Sequence, residues 1–174
     1  MIVIKDIDHV VRVLFPDSLL QDGNVVHPNA FRLRQWPAPK GAERYVSVNH
    51  YEADSFVSDL RGFDKGRNLA CAKMNVGAIR DIQLFLDKTE KFRVTYDVKD
   101  TGSVDHPSHA GIYITIANMP LEGHGDSLFE AIGEGLSMPM HIQMIRRALS
   151  DMAGKNLTTV ESLCEQKAQQ KDQG

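Results

Sequence analysis

Residues 110–119 read AGIYITIANM. Isoleucines stand at 112, 114 and 116, with Tyr113 and Thr115 between them. A period of two puts successive side chains on opposite faces of a strand. β-Branched residues also suit a pleated surface. One face of this strand is built for a core, the other for polar neighbours. Directly upstream, residues 104–109 read VDHPSH, an acid and two histidines around a proline. Pro107 and Ser108 supply the turn that a strand entrance needs. Neither His106 nor His109 is required for it. Ala110 and Gly111 are small and leave room beside the second imidazole.

Similar runs flank this strand. With 111–117, strands are predicted near 30–35, 44–49, 69–77, 82–86 and 91–97. In NAFRLRQW (29–36), Phe31 and Leu33 oppose Arg32 and Arg34. In RYVSVNHY (44–51), Ser47, Asn49 and Tyr51 share one side. PAPKGAE (37–43) and DKTEK (87–91) read as hairpin loops, and Gly77 as a bulge inside a strand. Ile7, Val10, Val11, Leu14 and Phe15 fall on a helical stripe, with Asp6 as cap and Pro16 as stop. EADSFVSDLRGF (52–63) predicts a short helix ended by Gly62. Beyond residue 120 the character changes. Ser127 to Glu130 and Thr158 to Glu161 are capping-box pairs. SMPMHIQMIRRALSDMAG (137–154) carries an apolar stripe of Ile142, Ile145 and Leu149. Strands early and helices late predict an α+β fold, with a mostly antiparallel sheet and helices concentrated in the C-terminal third. Residues 1–168 are expected to form a single domain. Residues 169–174 hold no apolar side chain and are expected to fray.

Composition narrows the class of function. The 174 residues carry 20 basic and 23 acidic side chains, a net charge of −3. No general nucleic-acid footprint exists at that balance, although Arg32, Arg34, Lys40 and Arg44 cluster locally. No apolar run approaches the roughly 18–20 residues that span a bilayer, so no membrane partner is expected. The start, MIVIKDIDHV, is interrupted by Lys5, Asp6 and Asp8, unlike a signal peptide. Cys71 and Cys164 form no Cys-x-x-Cys pair. Two free thiols suit a reducing compartment, and the expected location is cytoplasmic.

Three stretches carry candidate chemistry. In the DHPSH loop, His106 and His109 could share an ion with Asp105, or handle protons unmetallated. Two loop histidines three apart lack the geometry of a helical His-Glu-x-x-His pair. No metal and no cofactor is therefore assigned, and a solvated loop is the competing account. In VVHPNAFRLR (25–34), His27 precedes Arg32 and Arg34, a fork suited to phosphate or carboxylate. Its competing account is a strand face with rim ion pairs. In YVSVNHYE (45–52), Ser47 could act as a nucleophile beside a histidine, but no Gly-x-Ser-x-Gly elbow surrounds it. The candidate catalytic residues are His109, His27 and Ser47. The candidate ligand-binding residues are Arg32, Arg34, Asn49 and His106. LEGHGDS (121–127) has neither the spacing nor the lysine of a phosphate loop.

The order AFRLR, then YVSVNHYE, then HPSHAGI resembles a pattern in small uncharacterised bacterial proteins. There an Ala-Phe-Arg-Leu element precedes Ser-Val-Asn and a later His-Ala-x-Ile. The resemblance spans about residues 28–114 and implies a bacterial source but no reaction. Two functions from different classes are expected. The first is an interaction or regulatory protein with a protein partner, using its sheet face or the Met138, Met140, Met144 and Met152 helix surface. The alternative is a small enzyme acting on a phosphorylated or nucleotide-like ligand. Arg32 and Arg34 would hold the anion and His27, His106 or His109 would move protons. Whether His27, Ser47, Asn49 and His109 line one pocket separates the two.

Overall fold

The computed structural model describes residues 2–19, 25–34, 37–39, 41, 43–86, 92–117, 119–120 and 138–173. In chain order the elements begin with β1 (His9–Leu14), β2 (Val46–His50), α1 (Phe56–Asp64) and β3 (Ala70–Asn75). Then come α2 (Val76–Arg80), β4 (Leu84–Phe85), β5 (Arg93–Asp100), β6 (His109–Ile116) and β7 (Met119–Pro120). The C-terminal third holds α3 (Met138–Gly154), β8 (Leu157–Thr159) and α4 (Val160–Gln173). The strands form one sheet in the order β4-β5-β6-β2-β1-β3-β8, with β7 added beside β6. Every pairing is antiparallel. The fold is α+β.

β6 shows how the sequence builds this sheet. Ala110, Ile112, Ile114 and Ile116 are buried on one face, while His109, Tyr113 and Thr115 are half-buried on the other. The first face also receives Val10 and Leu14 of β1, Val46 and Val48 of β2, and Val94, Tyr96 and Val98 of β5. α3 closes it with Ile142, Ile145, Leu149 and Ala153. The Tyr96 hydroxyl donates to the Ile145 carbonyl at 2.7 Å and ties α3 to β5. Across the sheet, Val11 and Cys71 meet Phe56 and Leu60 of α1 and Val160, Leu163 and Cys164 of α4. Helices thus cover both faces of the β1–β3 region. Both cysteines are free and buried, and burial pushes the Cys71 thiol up to about 12.

Several elements differ from their sequence reading. The helix expected over residues 7–15 is strand β1, central between β2 and β3. Val10, Val11 and Val13 are β-branched and lose rotamer freedom in a helix. Because helices cover both faces there, Val10 and Val11 are both buried, and apolar residues on two faces imitate a helical stripe. Of the strand expected over 30–35, Ala30 and Phe31 close a 3-10 turn, Pro28–Phe31, that buries both, residues 32–34 join no strand, and residue 35 lies outside the described residues. β2 pairs with β1 and β6, and among the described residues the ends of the 37–43 loop meet through one backbone bond, Glu43 N–H to the Arg34 carbonyl at 2.9 Å, with no strand ladder beyond it. Gly77 lies inside α2, whose cap is the Asn75 side chain accepting from Ala78 N–H. α1 runs past Gly62 and stops at Lys65, which adopts φ 53°. The 82–86 run pairs through Leu84–Phe85 with β5, as the second hairpin requires. Thr159, not Thr158, accepts from Ser162 N–H at the start of α4, because Thr158 pairs with Cys71 in β8. α4 runs to Gln173. The Ser127–Glu130 capping box and the 121–127 loop lie outside the described residues.

Candidate functional site

Strand β1 pairs with β2 through Val10↔His50 and Val11↔Asn49. Past that point an arginine takes over from the backbone ladder. Arg12 donates from Nη1 to the Ser47 carbonyl at 2.7 Å. Its Nε and Nη2 both donate to the Ala30 carbonyl, at 3.1 and 2.9 Å. A pocket of about 570 Å³ opens beside this junction, on the sheet face that α1 borders. Val11, Val13, Phe15 and Phe63 form its apolar wall. Arg12, Arg34, Lys65 and Arg67 bring positive charge to it, against the carboxylates of Glu43 and Asp59.

Five of the seven sequence candidates line this pocket: Ser47, Asn49, Arg34, His106 and His109. The register explains the convergence. Asn49 sits opposite His109, and Ser47 opposite Gly111, so all share one face of β2 and β6. The other two candidates lie elsewhere. His27 caps the 28–31 turn, its Nδ1 accepting from Asn29 N–H at 3.0 Å. Arg32 is exposed and is not among the lining residues. Of the expected Arg32–Arg34 fork, only Arg34 lines the pocket.

The polar groups on this wall are tied into one network. Ser108 is fully buried. Its N–H donates to Asp59 Oδ2 at 2.9 Å, and its hydroxyl accepts from Asn49 Nδ2 at 3.0 Å. Ser55 donates its hydroxyl to the same Asp59 oxygen at 3.0 Å. Burial alone would raise the Asp59 carboxyl. The bonds from Ser108 and Ser55, with the charge at His106, outweigh it and hold the carboxyl below its usual range. Glu43 is engaged too, accepting from Arg34 N–H at 2.8 Å.

His109 is the group best placed for proton chemistry. Its Nδ1 lies 2.8 Å from the Thr101 hydroxyl, which fixes the ring and leaves Nε2 for other contacts. Burial first, then the charges of His106 and Arg12, pull its pKa below the ordinary 6.5, against smaller opposing effects of Thr101 and Asp59. The shift favours the neutral imidazole. Ser47 and His109 are diagonal neighbours across the β2–β6 ladder and make no hydrogen bond to each other among the described residues. Arg12 keeps its charge: burial, then Arg34, lower it to about 10, while Glu43 acts the other way.

Arg12, Lys65, Arg67, Glu43 and Asp59 went unnoticed in the sequence. One signal was present: Arg12 interrupts the apolar run VVRVLF. Histidines and carboxylates able to share an ion converge elsewhere. Among the described residues Asp8, His50 and Glu52 place their ligand atoms within 4.8 Å of one another. Asp105 and His106 of the DHPSH loop are exposed. No described helix is long and apolar enough to cross a membrane. No protein-family model, curated protein or solved structure matches the chain.

Proposed function

We propose that the protein binds a small phosphorylated or nucleotide-like ligand in the pocket beside Arg12 and acts on it by proton transfer. The observation that carries this reading is the charge of the lining. Four cationic side chains stand with two carboxylates in the lining, and hydrogen bonds from Ser108, Ser55 and the Arg34 N–H engage one oxygen of each carboxylate. The Arg12 guanidinium sits among backbone carbonyls, away from bulk water. A buried cation that the protein holds with carbonyls gains from an anion nearby, since screening is weak inside a protein. Arg67, its Nε and Nη2 held by the Asp64 and Phe63 carbonyls at 2.9 and 3.0 Å, adds a fixed positive charge at the pocket. Tyr45 packs its ring 5.9 Å from His109 and 5.2 Å from Tyr113, behind His109 and outside the pocket lining. His109 is the candidate general acid or base, positioned by Thr101.

Calorimetric titration with inorganic phosphate, ribose 5-phosphate and nucleoside monophosphates tests the reading. Binding is expected to strengthen in that order and to weaken with salt. Arg67→Ala should lower the affinity about tenfold or more, as loss of a charge-assisted contact does. No binding of any of the three probes at millimolar concentration rejects it.

A second reading, an interaction protein, has one observation in its favour. Met140 and Met144 of α3 are 56% and 36% exposed, and methionine surfaces adapt to partners. Two free thiols also support work in a reducing, cytoplasmic setting.

A further inference from the structure

His50 ends β2, Asp8 directly precedes β1, and Glu52 stands in the turn after β2. The β1–β2 ladder, in which Val10 pairs with His50, brings the three together. His50 Nε2 lies 3.1 Å from Asp8 Oδ2 and 3.6 Å from Glu52 Oε2. A tetrahedral zinc with bonds of about 2.0–2.1 Å sets neighbouring ligand atoms about 3.3 Å apart. The two separations bracket that value.

Other groups hold the carboxylates in place. Lys5 N–H donates to Asp8 Oδ2 at 2.9 Å. His9 N–H donates to Glu52 Oε2 at 2.8 Å, and the His9 ring Nδ1 lies 2.9 Å from Oε1. Supporting bonds of this kind orient metal ligands and are part of a built site. The charges do not balance within the trio. One imidazole nitrogen has a single proton to offer, and two carboxylates face it. Even a protonated His50 leaves one negative charge over, which the His9 ring against Glu52 offsets only if it too is protonated. The Lys167 ammonium is near, but it donates to the Tyr51 and Ala53 carbonyls, not to Glu52. The His50 side chain is 9% exposed and Glu52 36%, so the group is buried at one end and open at the other.

We propose that Asp8, His50 and Glu52 form a site for a divalent transition metal of the zinc type, with three protein ligands and a position open to solvent beside Glu52. The nitrogen donor disfavours magnesium and calcium, which take oxygen ligands. His9 is the supporting residue that holds Glu52. His50 would ligate through Nε2 as the neutral Nδ1–H tautomer, any proton displaced from Nε2 being released to solvent. The site shares no residue with the pocket lining, so it stands or falls separately from the proposed function.

The test uses full-length protein freed of metal with a chelator, then titrated with zinc chloride by calorimetry and by competition with a chromophoric chelator. One equivalent should bind. Asp8→Asn and Glu52→Gln should each weaken binding about tenfold or more, and the double variant should abolish it, while His106→Ala/His109→Ala should bind as wild type does. Circular dichroism and urea midpoints accompany each variant. If the double variant does not fold, Glu52→Gln decides, because that side chain is exposed enough to be replaced without unfolding the protein. Failure of the wild type to bind zinc overturns the proposal. So does an affinity of Glu52→Gln within about threefold of wild type.

Discussion

Arg12 donates to the Ser47 carbonyl at 2.7 Å, across the place where β1 and β2 cease to pair. One side chain does there what a backbone ladder does elsewhere. It also links the strand to the 28–31 turn through the Ala30 carbonyl. Replacing it with Met removes every donor and leaves two carbonyls without these partners. We expect Arg12→Met to lose about 2–4 kcal/mol of stability, with Arg12→Lys intermediate. Urea unfolding measures both, and equal stability of Met and wild type would show that the junction needs no arginine.

Tyr96 makes the corresponding link on the other face. Its buried hydroxyl donates to the Ile145 carbonyl at 2.7 Å, and burial raises its pKa. Tyr96→Phe keeps the ring and removes the bond. The expected cost is about 1 kcal/mol, read as a lower urea midpoint at unchanged slope. A changed slope would instead mean that α3 loosens as a unit.

Legibility in the sequence followed the number of faces buried. β6 was readable because Tyr113 and Thr115 stay half-buried while the isoleucines are covered, so its alternation is clean. β1 was not, because helices pack on both of its faces and erase the alternation. The 28–31 turn buries Ala30 and Phe31 side by side, and Phe31 with Leu33 then mimics a strand. The candidate site was legible where ladder register aligns residues of like parity: Ser47, Asn49 and His109. Lys65 and Arg67 lie just past α1, and only its packing against the sheet carries them to the pocket. Asp8, His50 and Glu52 were missed for a similar reason. Asp8 is separated from His50 by 42 positions, and no short spacing signals a pairing made by the sheet.

Gly111 has a steric reason visible only in three dimensions. A Cβ at that position would meet the Tyr45 ring at 2.5 Å, too close for any rotamer to stand. Tyr45 lies directly over the strand there, between His109 and Tyr113. Gly111→Ala should therefore cost about 1–3 kcal/mol by overpacking. In a Tyr45→Ala background that cost should shrink by about 1 kcal/mol or more, since the clash has one partner. Additive effects in the double-mutant cycle would refute the contact as its cause.

His109 offers the sharpest solution test of the pocket. Its folded pKa lies below the ordinary 6.5 because burial, His106 and Arg12 all oppose its charge. Between the folded and unfolded values, the unfolded chain binds more protons than the native one. The contribution of His109 to stability is therefore complete above pH 6.5 and declines as the pH falls toward its folded pKa. His109→Gln should flatten the pH dependence of stability in that window. Titration of the ring Cε1–H by NMR should place the midpoint below that of a free histidine. An anion bound beside the imidazole favours its protonated form. Saturating phosphate or nucleoside monophosphate should then move the His109 midpoint upward. If the His109 midpoint starts above 6.5, the environment described for it is wrong. If it starts low and does not move with ligand, the anion does not sit against His109, and proton transfer by this residue is excluded.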